Sequence, residues 1–508
     1  MGPASGSAAP VAVAPSTGTP LTIERTSIII LFLLLFALAT RIPLDTDTWW
    51  HLRAGQWMVE HGQIISGDPF SHTAAGVVRV PADWLSQVVL YGIWALAGNF
   101  GLALFTSTLA TAGMATLFRA SDGSAYLKAF LMILGAATAA VFWSARPQMF
   151  TFFLSGLLIY LIALYKRREI DRLWWIIPLM WIWGNLHGGY FIGLLLLYGT
   201  LTGEVVNHLL PRVLPFMQPA PHRIELPRLR KLALVTVLST AVLLINPAGL
   251  RLLLLPFETF TLGPLRQYIQ EWNPPDFTQP FIFPFVGLLV LTIIALITSW
   301  RKLDWSEALL VGGSGYLAVT AARNLSFFAV VAIPVLSYHL NAWFERRGWV
   351  IQTIKRPTWR QIRLNRVLIC VIGVVALAKV LLVLDTKLGD AAMNGIFPVK
   401  AVTYLNQAHP DGKMFNSYNW GGYLMYNAPD YPVYIDGRTD LYGDFVLEYV
   451  KIAFAQDGWQ EAIDSQGINL VVVETGSPLA KQLLTDPAWE TAYTDELASV
   501  FTRRDYSA

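Results

Sequence analysis

The residues Asp45-Thr46-Asp47-Thr48-Trp49-Trp50-His51-Leu52-Arg53-Ala54-Gly55 follow directly on an uncharged apolar run, Thr26 to Thr40. Two carboxylates stand two positions apart, with a tryptophan pair beside them. In an extended or turned segment both carboxylates can reach one cation, and hard cations such as Mg²⁺ or Mn²⁺ prefer such oxygen ligands. Tryptophan at the end of a membrane span ordinarily anchors the chain among the headgroups, which is the plain reading of Trp49 and Trp50. The pattern continues as Val59-Glu60-His61-Gly62. His51, His61 and His72 lack metal-ligand spacing, and no Ser/His/Asp nucleophilic set or zinc cluster is evident.

Composition fixes the class around this stretch. Of 508 residues, 54% are apolar and 14% are charged, against roughly 25% charged in a soluble protein. The mean hydropathy is +0.47. A net charge of +3 and a single cysteine, Cys370, argue against a nucleic-acid protein and an intrachain disulfide. The chain reads as a polytopic α-helical membrane protein.

Spans are expected at 26–43, 100–118, 128–144, 148–165, 172–186, 189–209, 230–246, 281–300, 306–321, 324–341 and 366–384. The count is eleven, within a range of 11 to 13. Residues 1–23 read as an uncharged disordered tail. Ala37-Leu38-Ala39 resembles a signal-peptidase site, but a retained first span is the better reading. The run 82–98 carries Asp83, Ser86, Gln87 and Tyr91 and is either a further span or an interfacial or re-entrant helix. Loop charge arbitrates, because cytoplasmic loops are rich in Lys and Arg. With eleven spans, the basic groups Arg119/Lys128, Lys166-Arg167-Arg168 with Arg172, Arg212 to Lys231, Arg301-Lys302 and Arg346 to Arg366 all share one side. The membrane part is therefore 24–385, with a first external loop 44–99. The tract 386–508, with its Asp436-Gly437 turn and its β-branched run Ile468 to Val473, reads as a small soluble α/β domain on the external side.

This topology sends the polar interruptions to one face. They are Asp45-Thr46-Asp47, Arg146-Pro147-Gln148, Asn185 to Gly189, Asn246 to Gly249, Gln270-Glu271-Trp272 and Arg323-Asn324. Each alone is an ordinary helix end. Gathered on one face they make an active site at a membrane surface.

Asp47-x-Trp49-x-x-x-Arg53-Ala54, with Val59 to Gly62 after it, resembles the first external loop of the oligosaccharyltransferase catalytic subunit. That family carries D-P-W-x-N-Y-R-A after its first span. Here Thr48 replaces the proline and His51 stands at the asparagine. The architecture resembles the GT-C glycosyltransferases more broadly, among them protein mannosyltransferases and lipid A aminoarabinose transferases. Asn419-Trp420-Gly421-Gly422-Tyr423-Leu424 is similar to the family's W-W-D-Y-G motif without its aspartate, which argues against recognition of a peptide sequon. Ile435-Asp436-Gly437-Arg438-Thr439-Asp440 is either a site loop or a turn with a local Asp–Arg pair.

The resemblance implies a sugar donor carried on a polyprenyl phosphate and transfer at the outer face of the membrane. The acceptor is a glycan, lipid or protein. Asp47 is the expected base or metal-bound orienting carboxylate, with Asp45 as its partner and Mg²⁺ or Mn²⁺ as the metal if one is used. Glu271 is a second acidic group by position. Arg323 is expected on the phosphate, with Arg146 and His187 behind it. Trp49, Trp50 and Arg53 line the substrate by their place in the motif. The competing class is a non-catalytic transporter, flippase or assembly factor for lipid-linked glycans. No repeat relates the two halves, and ionisable groups gather at span ends, which favours a transferase. The expected location is a bacterial plasma membrane.

Overall fold

Long uncharged runs of Leu, Ile, Phe and Ala have nothing but their own backbone to satisfy N–H and C=O groups in lipid, so they coil into helices. In the computed structural model, which describes residues 21–78, 82–261, 270–299, 302–349 and 357–504, every expected span is helical. The helices are α1 Ile23–Ala39, α2 Asp47–His61, α3 Trp84–Ala120, α4 Ala125–Ala139, α5 Gln148–Arg167, α6 Ile176–Leu186, α7 Tyr190–Val213, α8 Leu226–Ala241, α9 Arg251–Thr261, α10 Phe283–Thr298, α11 Trp305–Thr320, α12 Leu325–Arg346 and α13 Trp359–Val383. Among the described residues, seven helical segments are long and apolar enough to cross a membrane. The chain is an integral membrane protein. The tail 1–20, Arg301 and residues 350–356 of the last basic loop lie outside the described residues.

The run 82–98 is a helix of its own, separate from the span 100–118, as expected. It is the first part of α3, whose 37 residues are broken at Gly98, where φ is 52° and ψ is −141°. A straight helix of that length would be ~55 Å long, against a hydrocarbon core of ~30 Å. The break lets the part before Gly98 lie along α2 while the remainder joins the bundle. Helix α12 is central, with 72% of its apolar window buried, whereas that of α13 is 6% buried, and α13 packs chiefly on α1.

Beyond α13 the chain forms α14 Thr386–Asn394, α15 Val399–Ala408, β1 Lys413–Asn416 and α16 Gly421–Asn427. Strands β2 Ile468–Glu474, β3 Trp489–Thr494 and β4 Ala498–Arg503 complete a four-stranded sheet of order β1-β2-β4-β3. Strands β1 and β2 are parallel and the other two pairings are antiparallel. The β-branched run expected as a strand is β2, buried along most of its length.

Two devices seat this sheet region on the first loop. Helix α16 meets α2 through glycine: a Cβ at Gly422 would lie 3.0 Å from the Thr46 carbonyl and 3.1 Å from the Trp50 nitrogen. Buried Arg438 pairs with Asp436 and Asp68, each at 2.6 Å, and the Tyr442 hydroxyl donates to Asp436 at 2.7 Å. The Asp436-Gly437-Arg438 turn is thus a clamp between loop and domain, wider than the local pair expected.

At the far end of α5, Lys166 and Arg167 are not loop charges in water. Lys166 is buried against Glu204 and Asp304, and Arg167 against Glu307 and Asp122. His339 Nε2 lies 3.0 Å from Glu307. This network joins α5, α7, α11 and α12 about 30 Å from the N-terminus of α5.

Candidate functional site

Asp47 opens α2, where a carboxylate favours the positive end of the helix dipole. Its N–H donates to Asp45 Oδ1 at 3.0 Å. The Thr48 hydroxyl donates to the Ala145 carbonyl at 3.2 Å, which brings the turn before α5 against the start of α2. Arg146 in that turn therefore reaches both carboxylates, 2.8 Å to Asp47 and 3.4 Å to Asp45. It also reaches Glu271 at 3.6 Å. Arg323, in the turn before α12, approaches the other Glu271 oxygen at 3.7 Å and stacks over Trp272 at 4.5 Å. The Ala322 N–H donates to the Asn273 carbonyl at 2.9 Å and ties these two turns together. The side chains of the five charged residues are 18–35% exposed, so the cluster opens to the outside.

Burial dominates the electrostatics of Asp47 and pushes its carboxyl up to about 6. Arg146 opposes the rise, while Asp45 and Glu271 add to it. Burial also works against the charge on Arg146, but the carboxylates of Asp47, Asp45 and Glu271 outweigh it and hold the guanidinium protonated. The result is a carboxylate poised near neutral pH beside a fixed cation.

The roof of the cluster comes from the sheet domain. A Cβ at Gly437 would sit 2.0 Å from Asp47 Oδ1 and 3.1 Å from Trp50 Nε1. The clamp at Asp436 and Arg438 thus presents bare backbone to the carboxylate. The sequence offers 435–440 as a site loop or a turn, and the contact of Gly437 with Asp47 puts this loop at the cluster.

His187 follows α6, and its Nδ1 lies 2.7 Å from Thr151 Oγ1. Burial first, then Arg323 and Arg146, lower its pKa to about 3. Asn185 and Asn246 serve as braces. Asn185 Oδ1 accepts from Trp84 at 3.0 Å and from Asn246 at 3.1 Å.

Of the expected substrate residues, Trp49 and Arg53 are placed away from the cluster, while Trp50 is buried but keeps its indole Nε1 beside Asp47. The segment holding the tryptophans is helical, not extended, and turns them inward. Trp49 is 4% exposed and sits among Trp94, Phe397, Tyr423 and Tyr426, with ring centroids 5.0–5.8 Å apart. Trp50 is 7% exposed and packs on His51 and α16. They are core residues and not headgroup anchors. Arg53 lies nearly two helical turns from Asp47, bonded to Gln56 at 3.0 Å and over the Phe70 ring at 5.8 Å.

The oxygens of Asp45, Asp47 and Glu271 are the donor type a hard divalent cation takes. They converge on the Arg146 guanidinium, with Arg323 beside Glu271. Among the described residues no three His, Cys, Asp or Glu side chains are grouped to hold a metal ion.

No protein-family model and no curated protein matches the chain. Solved structures do. The oligosaccharyltransferase AglB from Archaeoglobus fulgidus, in complex with an inhibitory peptide and a dolichol-phosphate, is similar with a TM-score of 0.54 at 10% identity. The match covers 88% of this chain and 69% of that one. The A. fulgidus oligosaccharyltransferase tethered to an acceptor peptide with the NVT sequon gives 0.54 at 12% identity, covering 89% and 69%. ArnT from Cupriavidus metallidurans bound to undecaprenyl phosphate gives 0.48 at 14% identity, covering 94% and 96%. The likeness to GT-C glycosyltransferases read from Asp47 to Gly62 is thus also a likeness of fold.

Proposed function

We propose that this chain is a membrane glycosyltransferase that moves a sugar from a polyprenyl-phosphate donor to an acceptor hydroxyl at the outer membrane face. One observation carries the reading: a near-neutral carboxylate, Asp47, stands beside two guanidinium groups at the open end of an oligosaccharyltransferase-like bundle. In the reaction the acceptor oxygen forms a bond to the anomeric carbon and the bond from that carbon to the phosphate oxygen breaks. Asp47 takes the acceptor proton, as a general base with a pKa near the working pH does best. Arg146 and Arg323 stabilise the charge left on the polyprenyl phosphate. Asp45 and Glu271 hold the two guanidinium groups in place. Dolichol phosphate in the A. fulgidus enzyme supports a lipid of this class. The Asn419 to Leu424 stretch lends no support to a peptide sequon, since Trp420, Gly421 and Gly422 are buried in packing. Sheet domain and site lie outside a bacterial plasma membrane in this reading.

Mass spectrometry of lipid-linked and surface glycans, with and without the gene, tests the reading. Loss of one glycan with accumulation of its lipid-linked sugar is expected. An unchanged inventory, with no transfer by the purified protein, refutes it.

A further inference from the structure

His187 sits at the end of a hydrogen-bond relay whose direction can be read from donor chemistry. The Trp183 indole N–H can only donate, and it donates to Thr151 Oγ1 at 2.9 Å. A second lone pair and its own proton leave Thr151 Oγ1 able to accept from or donate to His187 Nδ1, 2.7 Å away. The Gly189 backbone N–H, also a donor only, reaches the same nitrogen at 3.1 Å. Because the Gly189 N–H can only donate, Nδ1 is an acceptor, the Thr151 hydroxyl donates to the same lone pair, and the proton of a neutral ring is on Nε2. Gly189 is a glycine because of this geometry: a Cβ there would lie 2.2 Å from Thr151 Oγ1 and 2.8 Å from His187 Nδ1.

We propose that His187 is a fixed neutral hydrogen-bond donor to a phosphate oxygen of the lipid donor, its proton held on Nε2 by the Trp183–Thr151 relay and the Gly189 amide. The charged groups bearing on the ring are Arg146, from the turn before α5, and Arg323, from the turn before α12. A third cation beside these two would be repelled, while a neutral N–H adds a donor without adding charge. A phosphate oxygen offers only acceptor capacity and suits all three groups. The ring keeps no lone pair free, so it does not serve as the base. Thr151 is a positioning residue that acts through His187.

The inference rests on the transferase reading for the identity of the anion. The full chain, labelled with ¹⁵N-histidine in nanodiscs, tests it in two steps. Long-range ¹H–¹⁵N spectra are expected to show His187 as the Nε2–H tautomer from pH 5 to 8, and Thr151→Val is expected to shift the Nδ1 resonance while the Gly189 amide keeps the proton on Nε2. Undecaprenyl phosphate is expected to move the Nε2 resonance, and undecaprenol is not. His187→Ala should weaken undecaprenyl phosphate by about tenfold or more, as loss of a bond to a charged group does. His187→Gln, which keeps an N–H, should lose much less. An Nδ1–H tautomer, a ring that titrates near neutral pH, or unchanged affinity in His187→Ala overturns the proposal. An equal response to inorganic phosphate overturns its lipid part. Binding as described with no sugar transfer from any donor would sink the transferase reading and leave the His187 assignment standing.

Discussion

Asp47→Asn separates chemistry from structure. The substitution keeps the shape of the side chain beside Gly437 and removes its charge and basicity. Arg146 retains Asp45 at 3.4 Å and Glu271 at 3.6 Å, so the guanidinium is not stranded. The Asp47 carboxyl titrates at about 6, above its usual 3.8, and the sign of that shift matters. A carboxyl raised in the folded state binds its proton more tightly there than in the unfolded chain. Its ionised form therefore costs stability as pH rises from about 4 to about 6, and the cost persists above. Replacing it with a neutral amide removes that cost, so the variant is expected to be at least as stable as the parent at neutral pH. Transfer should fall by 10²–10⁴-fold, the usual range for a lost general base. The parent kcat/KM should climb about tenfold per pH unit below about 6 and level off above, and the variant should lack that limb. Single-turnover transfer from a polyprenyl-phosphate sugar, alongside thermal unfolding in detergent, measures both. Wild-type transfer by Asp47→Asn refutes the reasoning, as does a loss of transfer that only follows a loss of folded protein.

Other outcomes follow from the same geometry. Arg323→Ala should raise the KM for donor about tenfold or more, whereas Arg251→Ala, whose side chain is 58% exposed and pairs only with Glu258 among the described residues, should leave it unchanged; equal values for both would remove Arg323 from the phosphate site. Gly437→Ala should cut transfer by about 10²-fold by displacing Asp47, while Gly389→Ala, with open space around its Cβ, should have no effect on initial rates. Alkaline-phosphatase fusions should be active at Gly389 and inactive at Gly348, and equal activity at the two positions would overturn the expected orientation.

The helical bundle was legible because apolar runs in lipid have one backbone solution. The charged residues of the cluster were legible for a related reason. Asp45, Asp47, Arg146, Glu271 and Arg323 interrupt apolar pattern at helix ends, where polarity is costly unless used. Their pairing was not legible. A local Asp-x-Asp spacing suggests a shared cation, but the cation that meets it belongs to Arg146, 101 positions from Asp45. The tryptophans misled because an interfacial anchor and a buried core residue have the same composition. Only the helical state of residues 47–61 turns Trp49 away from the surface. Lys166 read as loop charge because its partners Glu204 and Asp304 lie 38 and 138 residues away. The 435–440 loop was marked by its charges and its Asp-Gly turn, but its partner Asp47 and the relay behind His187 were not legible, since each is defined by a contact between distant segments.

The site also fixes how often the chain crosses the bundle. Asp47, Arg146, Glu271, Arg323 and Gly437 meet at one end, and Thr151 brings His187 to that same end. Two segments that meet at one end must be separated by an even number of crossings. Between Arg146 and His187 only α5 is a full-length span, so the 11-residue α6 must cross as well. The Asn246–Asn185 hydrogen bond returns the end of α8 to the His187 side after α7, so α8 crosses, and parity requires α11 to cross between Glu271 and Arg323. The far cluster agrees: Lys166 at the end of α5 meets Asp304 at the start of α11, on the side opposite the site. Helices α6, α8 and α11 have 11, 16 and 16 residues and rise only ~16–24 Å as α-helix. The short turns Leu173–Trp175 and Val242–Leu244 extend two of them. A straight α-helix of that length is shorter than a ~30 Å hydrocarbon core, and the turns bearing His187 and Arg323 close these short crossings.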